Sequence, residues 1–98
     1  MDILATPEFR EWLDLQDAKG RTQIDDRLDR IREQAYFGDA RYLEEGLFEL
    51  RWRSGRRVYY TIAEGGDGDM VIILLGGGKN GQSRDIAHAR KLLGRETA

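Results

Sequence analysis

A chain of 98 residues, 40% hydrophobic and 35% charged, can bury one core but is too short for a nucleotide-binding domain joined to a second substrate domain. It has no cysteine and one histidine, His88, which excludes a disulfide framework, a thiolate metal site and a histidine-cluster metal site. Its net charge of -2 hides a division, because residues 1–46 carry twelve acidic and seven basic side chains (-5) whereas residues 47–98 carry six acidic and nine basic (+3). The basic half should attract a polyanion that the acidic half repels, so any nucleic-acid affinity is expected to be modest and strongly salt-dependent. No metal and no cofactor is expected. The N-terminus lacks a basic stretch leading into an apolar core, and the longest apolar run, Met70 to Leu75, is far short of a membrane span. A cytoplasmic protein with no membrane partner is the expectation.

Along the chain, Asp2 to Ala5 reads as a short first strand. Thr6-Pro7 then starts a helix, with a hydroxyl cap followed by proline where no backbone donor is missed. Phe9, Trp12 and Leu13 form its apolar stripe, and Lys19-Gly20 is its expected stop. A second helix carries Ile24, Leu28, Ile31 and Ala35 at steps of four, three and four, with charged residues on its other faces. Those charges read as a solvated surface, with Asp26 and Arg30 a favourable pair one turn apart. The two helices are expected to form an antiparallel hairpin. Tyr36 to Gly46 reads as a loop.

Leu47 to Arg53 and Arg57 to Ala63 alternate apolar and polar residues with β-branched and aromatic types, marking two strands joined at Ser54-Gly55. Four arginines, Arg51, Arg53, Arg56 and Arg57, crowd this hairpin, and guanidinium forks are shaped to hold phosphate or carboxylate oxygens. Were Ser54-Gly55 a strict two-residue turn, Arg51 would oppose Val58, and Arg57 would lie on the opposite face from Arg51, Arg53 and Arg56. A bulge or longer turn would bring Arg57 across. Glu64 to Asp69 is a glycine-rich turn, Met70 to Gly76 a buried strand and Gly76 to Gly81 a loop. The last helix, from about Gln82 to Leu93, packs through Ile86, Ala89, Leu92 and Leu93. The order β-α-α-β-β-β-α describes one α+β domain over residues 1–98, a helical hairpin packed on a mainly antiparallel four-stranded sheet.

Two motif readings fail on spacing. Gly76 to Lys79 lacks a phosphate-binding loop, because Ile73 and Asn80 stand where glycine and Ser/Thr are needed. Asp67-Gly68-Asp69 lacks the later ligands of a calcium loop and reads as turn chemistry. His88 falls on a helix flank without a catalytic part. Trp52, Tyr59 and Tyr60 have the rings to stack on bases or to pack against helices.

The element order, E-L-R at Glu49 to Arg51, G-R-R-V-Y-Y at Gly55 to Tyr60 and L-L-G-G-G-K-N-G-Q-S-R-D-I-A-H-A from Leu74 to Ala89 together resemble the RelE/ParE superfamily of small bacterial toxins. Within it the resemblance is to the HigB-like addiction module killer protein, or phage Gp49-like, branch. It implies the toxin half of a type II toxin-antitoxin pair, neutralised by a cognate antitoxin, often of the helix-turn-helix type. In many members the toxin is an mRNA interferase, an endoribonuclease that cuts mRNA on the ribosome. Arg57 matches the arginine of the family's R-x-x-Y strand pattern, Arg51 that of E-L-R, and Lys79, Gln82 and Asp85 the G-G-x-K-x-x-Q-x-x-D-I motif. RelE-type nucleases carry an arginine directly after that lysine and a tyrosine six residues further on, where this chain has Asn80 and Ile86.

Metal-independent RNA cleavage needs a base for the 2′-hydroxyl proton, cations for the crowded phosphorane and an acid for the leaving oxygen. The resemblance makes Arg57, Arg51 and Lys79 the catalytic candidates, with Arg53, Arg56, Tyr59, Gln82 and Asp85 at the substrate. Asp85 and Tyr59 are the candidate bases, and Arg57 is expected to be an exposed strand residue. Two other readings fit the same residues: a ParE-like DNA gyrase inhibitor without nuclease activity, and a non-toxic binding module.

Overall fold

The computed structural model describes residues 1–98, which run β1 (Asp2–Ala5), α1 (Pro7–Asp14), α2 (Ala18–Gln34), β2 (Ala40–Tyr42), β3 (Phe48–Arg51), β4 (Arg56–Gly65), β5 (Gly68–Gly78), a 3₁₀ turn (Lys79–Gly81) and α3 (Gln82–Thr97). The strands form a single sheet in the order β1-β5-β4-β3-β2, with β1 parallel to β5 and every other pair antiparallel. The α+β class is as read from the sequence, but the sheet has five strands where four are expected. The additional one is β2, inside the segment read as a loop. All three of its residues are exposed, so no alternation marks it, and its pairing with β3 (Ala40 to Leu50, Arg41 to Glu49, Tyr42 to Phe48) is a long-range fact.

Thr6 caps α1 as expected: its Oγ1 accepts from the Phe9 N–H at 3.1 Å and donates to the Leu74 carbonyl at 2.6 Å, which ties the helix start to β5. The helix ends at Asp14, earlier than the expected stop at Gly20. Asp17 caps α2 instead, accepting from the Gly20 N–H at 2.7 Å, so Gly20 lies in the first turn of α2. It is buried because the Arg56 guanidinium lies against it, leaving no room for a Cβ.

Helices cover both faces of the sheet. On one, Phe9 of α1 and Ile24, Leu28 and Ile31 of α2 meet Leu50, Val58, Tyr60, Val71 and Ile73. On the other, Ala89 and Leu92 of α3 meet Leu47, Tyr59, Ile72, Leu74 and Leu75. Each fully buried aliphatic side chain contributes about 1.5–3 kcal/mol. A bulge in β5 serves the second core: Tyr59 pairs with Leu75 and Tyr60 with Ile73, so Leu74 is the extra residue and both Leu74 and Leu75 reach α3. Beyond it, the Gly76 backbone lies under the Trp12 ring and that of Gly77 under the Asp85 carboxylate. Arg95 of α3 closes the fold, donating to both carboxylate oxygens of Glu8 in α1 at 2.7 and 2.9 Å.

Candidate functional site

The β3–β4 connection decides where the arginines go. Trp52 N–H donates to the Arg56 carbonyl and Gly55 N–H to the Trp52 carbonyl, both at 3.1 Å, so a four-residue turn over Trp52 to Gly55 closes the hairpin. Gly55, with φ of 103°, is its bulge residue. The strict two-residue turn is thereby corrected. The extra residue shifts the register so that Arg51 opposes Arg57 and Glu49 opposes Tyr59, and alternation places all four side chains on the α3 face.

That face holds a buried polar cluster. Glu49 is 0% exposed, and its Oε2 accepts from Gln82 Nε2 at 2.6 Å. Its Oε1 lies 3.7 Å from Arg51 Nε without a hydrogen bond. Tyr59 stands opposite Glu49 on β4, and its phenol oxygen is also unpartnered. Arg57 is 8% exposed and folds back over the turn, donating through Nη1 to the carbonyls of Trp52 (3.2 Å) and Arg56 (3.0 Å), while its Nε has no partner. The expectation of an exposed Arg57 is therefore wrong; its side chain also supports the hairpin. Glu49 Oε1, Arg51 Nε, Arg57 Nε and Tyr59 Oη are the molecule's only buried side-chain polar atoms lacking a partner, and all four sit on this one face. Each such atom costs about 1–3 kcal/mol of desolvation.

The environment perturbs two groups. Burial, with the Glu49 and Asp85 carboxylates nearby, raises the Tyr59 phenol well above its ordinary range, so it keeps its proton. Burial also raises Asp85, against the pull of Arg84 and His88. Lys79 lies in the 3₁₀ turn with its aliphatic stem across Gly55, which brings it to the hairpin end of the cluster.

Two expected site residues are placed elsewhere. Strand parity turns Arg56 to the opposite face, where Nε donates to Gln16 Oε1 at 3.0 Å and Nη2 to Asp17 Oδ1 at 3.3 Å, bracing the hairpin against the α1–α2 junction. Arg53 sits at the exposed tip and lines a cleft toward α2. The sequence reading passed over Glu49, quoting it only as part of a motif. Its signal is a carboxylate at a strand position between Phe48 and Leu50, two residues from Arg51 and so on the same face. No group of three or more His, Cys, Asp or Glu side chains is placed to hold a metal ion, and no helix is long and apolar enough to cross a membrane.

An uncharacterized protein of Haemophilus influenzae strain Rd is 35% identical over 97 residues, spanning 98% of this chain and 95% of its own. The chain belongs to that protein's family. No protein-family profile matches it. Among solved structures, a doubly substituted E. coli toxin RelE in the free state superposes with a TM-score of 0.69 at 15% identity, covering 92% of this chain and 94% of its own. A YoeB/ParE toxin from Agrobacterium tumefaciens gives 0.65 at 15% identity, over 80% and 98%. A chain of the intact E. coli RelBE toxin-antitoxin complex gives 0.63 at 14%, over 79% and 94%. The family member described here thus has the RelE/ParE-like fold.

Proposed function

We propose that this protein is the toxin of a type II toxin-antitoxin pair and acts in the cytoplasm as a metal-independent endoribonuclease on mRNA. One observation carries the reading: Glu49, Arg51, Arg57 and Tyr59, whose buried side-chain atoms are the ones left without a hydrogen bond of good geometry, share one sheet face, where Gln82 at the start of α3 reaches Glu49. Groups left unpaired at such cost are suited to a ligand that pairs them. The RelE/ParE-like fold supports the toxin assignment, and the E-L-R and G-G-x-K-x-x-Q-x-x-D-I motifs support the HigB-like branch. The RelBE complex among the structural neighbours supports a cognate antitoxin as partner.

In this mechanism Gln82 swings away from Glu49 to admit the scissile phosphate. Glu49 takes the 2′-hydroxyl proton, the 2′-oxygen attacks phosphorus, and the bond from phosphorus to the 5′-oxygen breaks. The products are a 2′,3′-cyclic phosphate and a 5′-hydroxyl. Arg57 and Arg51 stabilise the charge of the phosphorane, and Lys79 protonates the leaving oxygen. Tyr59 orients Glu49, and Asp85 positions the start of α3 over Gly77. Glu49 replaces Asp85 and Tyr59 as the base because its Oε1 accepts no hydrogen bond and lies 3.7 Å from Arg51 Nε, on the sheet face it shares with Arg57.

Purified protein incubated with synthetic RNA in excess chelator should yield cyclic-phosphate and 5′-hydroxyl ends, on isolated RNA or on ribosome-bound mRNA. Intact RNA under both conditions, with inhibited gyrase supercoiling, would favour the ParE-like reading.

A further inference from the structure

Three open clefts join into a single path around the tip of the β3–β4 hairpin. The first, of about 620 Å³, lies between the tip and α2; the second, of about 640 Å³, crosses the Gly76 to Gly78 end of β5; the third, of about 500 Å³, lies along the start of α3. Ser54 lines both the first and the second, and Lys79 and Arg84 line both the second and the third. The path meets the hairpin end beside the buried cluster, since Arg51 lines the first cleft and Gly77, the pairing partner of Arg57, lines the second, while Glu49, Arg57 and Tyr59 line none of the three.

Its charge opposes that of the chain. The first cleft carries Arg27, Arg30 and Arg53 against Asp26 and Asp39 (+1), the Arg51 side chain lying on the other sheet face, and the second carries Arg56, Lys79 and Arg84 against Asp85 (+2). Arg27 is committed to the carbonyls of Phe37, Asp39 and Arg51. Arg30, Arg53, Lys79 and Arg84 take part in none of the seven ion pairs and in no side-chain hydrogen bond, so four cations stand free along the path. The single apolar side chain in each of the first two clefts is a tryptophan, Trp52 in one and Trp12 in the other.

We infer that this path is a binding track for single-stranded RNA, extending beyond the cleavage site onto Arg53 and Arg30 of α2; the inference rests on the nuclease reading above. Free cations suit the phosphates of a flexible strand, and the part-exposed Trp12 and Trp52 rings, one packed on Phe9 and Gly76 and the other under the Arg27 guanidinium, keep ring surface on which a base can stack. A duplex is too stiff to turn around a hairpin tip from one sheet face to the other. A peptide would need the apolar lining that these clefts lack.

The test is fluorescence anisotropy in excess chelator with 2′-deoxy-substituted, uncleavable RNA strands of about four and about twelve nucleotides. Arg30→Ala/Arg53→Ala, checked for unchanged melting, should bind the longer strand about tenfold more weakly and the shorter one within about twofold of wild type. The slope of log affinity against log salt for the longer strand should fall by about 1.4, since each phosphate contact on a single strand contributes about 0.7. Equal losses for both strands, no loss for either, or tighter capture of polyglutamate than of the long strand would each overturn the track. If length-dependent binding appears but RNA is never cut, the nuclease reading fails while the track stands.

Discussion

Glu49→Gln separates a catalytic carboxylate from a structural one. The amide keeps an oxygen to accept from Gln82, the contact now made at 2.6 Å, and puts an NH₂ group where Oε1 has no hydrogen bond, cross-strand from Tyr59 and 3.7 Å from Arg51 Nε. What disappears is a buried charge supported by one hydrogen bond and an arginine at 3.7 Å. Relief of the carboxylate's desolvation then opposes the loss of countercharge to a part-exposed arginine, so the neutral isostere should leave stability within about 1 kcal/mol of wild type. In a domain of this size Tm then stays within roughly 4–8 °C of wild type. Loss of the general base should lower the cleavage rate about 10²- to 10⁴-fold. Thermal denaturation and single-turnover cleavage of one synthetic RNA measure both effects. Cleavage within a few-fold of wild type refutes the base assignment, and a lowered Tm with full activity per folded molecule makes Glu49 structural.

Arg57→Ala should abolish cleavage and also lose about 1–3 kcal/mol of stability, because two turn carbonyls each lose one of their two donors, a charged one; unchanged Tm by thermal denaturation would contradict the burial argument. Gly76→Ala should cost about 1–3 kcal/mol, since the new Cβ overlaps the Trp12 ring, and the Tm shift reports it. Lys79→Ala should lower the rate at saturating RNA, whereas Arg84→Ala should raise only KM; identical effects would reduce both to diffuse electrostatics. The hydrogen bond from Arg95 holds the Glu8 carboxyl at about 2 against an ordinary 4.5. A depressed folded pKa stabilises fully above about 4.5 and is lost as pH falls toward 2. Glu8→Gln should therefore melt below wild type at neutral pH, with the gap closing near pH 2; a gap independent of pH excludes this coupling.

Local signals carried most of the fold. Thr6-Pro7, the Ile24/Leu28/Ile31 spacing and the unbroken apolar run into β5 each have a cause within a few residues, and each led to the right element. Gly20 misled because glycine stops helices and also makes room for a neighbour, and the neighbour here is Arg56, far away in sequence. β2 was invisible for the same reason, as only pairing with β3 defines it. The candidate site was half legible. Residue types at Arg51, Arg57, Lys79, Gln82 and Asp85 pointed to anion chemistry, but their convergence depends on the bulge at Gly55, which reverses the parity of β4 relative to a two-residue turn. That single residue removed Arg56 from the cluster, brought Arg57 into it and set Tyr59 opposite Glu49.

Induced expression in a bacterium, with growth followed and mRNA 5′ ends mapped against a Glu49→Gln control, tests the central claim most directly. The account predicts growth arrest with new 5′-hydroxyl ends inside translated regions, both absent in the control. Arrest with intact mRNA, or the same ends from the Glu49→Gln protein, would contradict it.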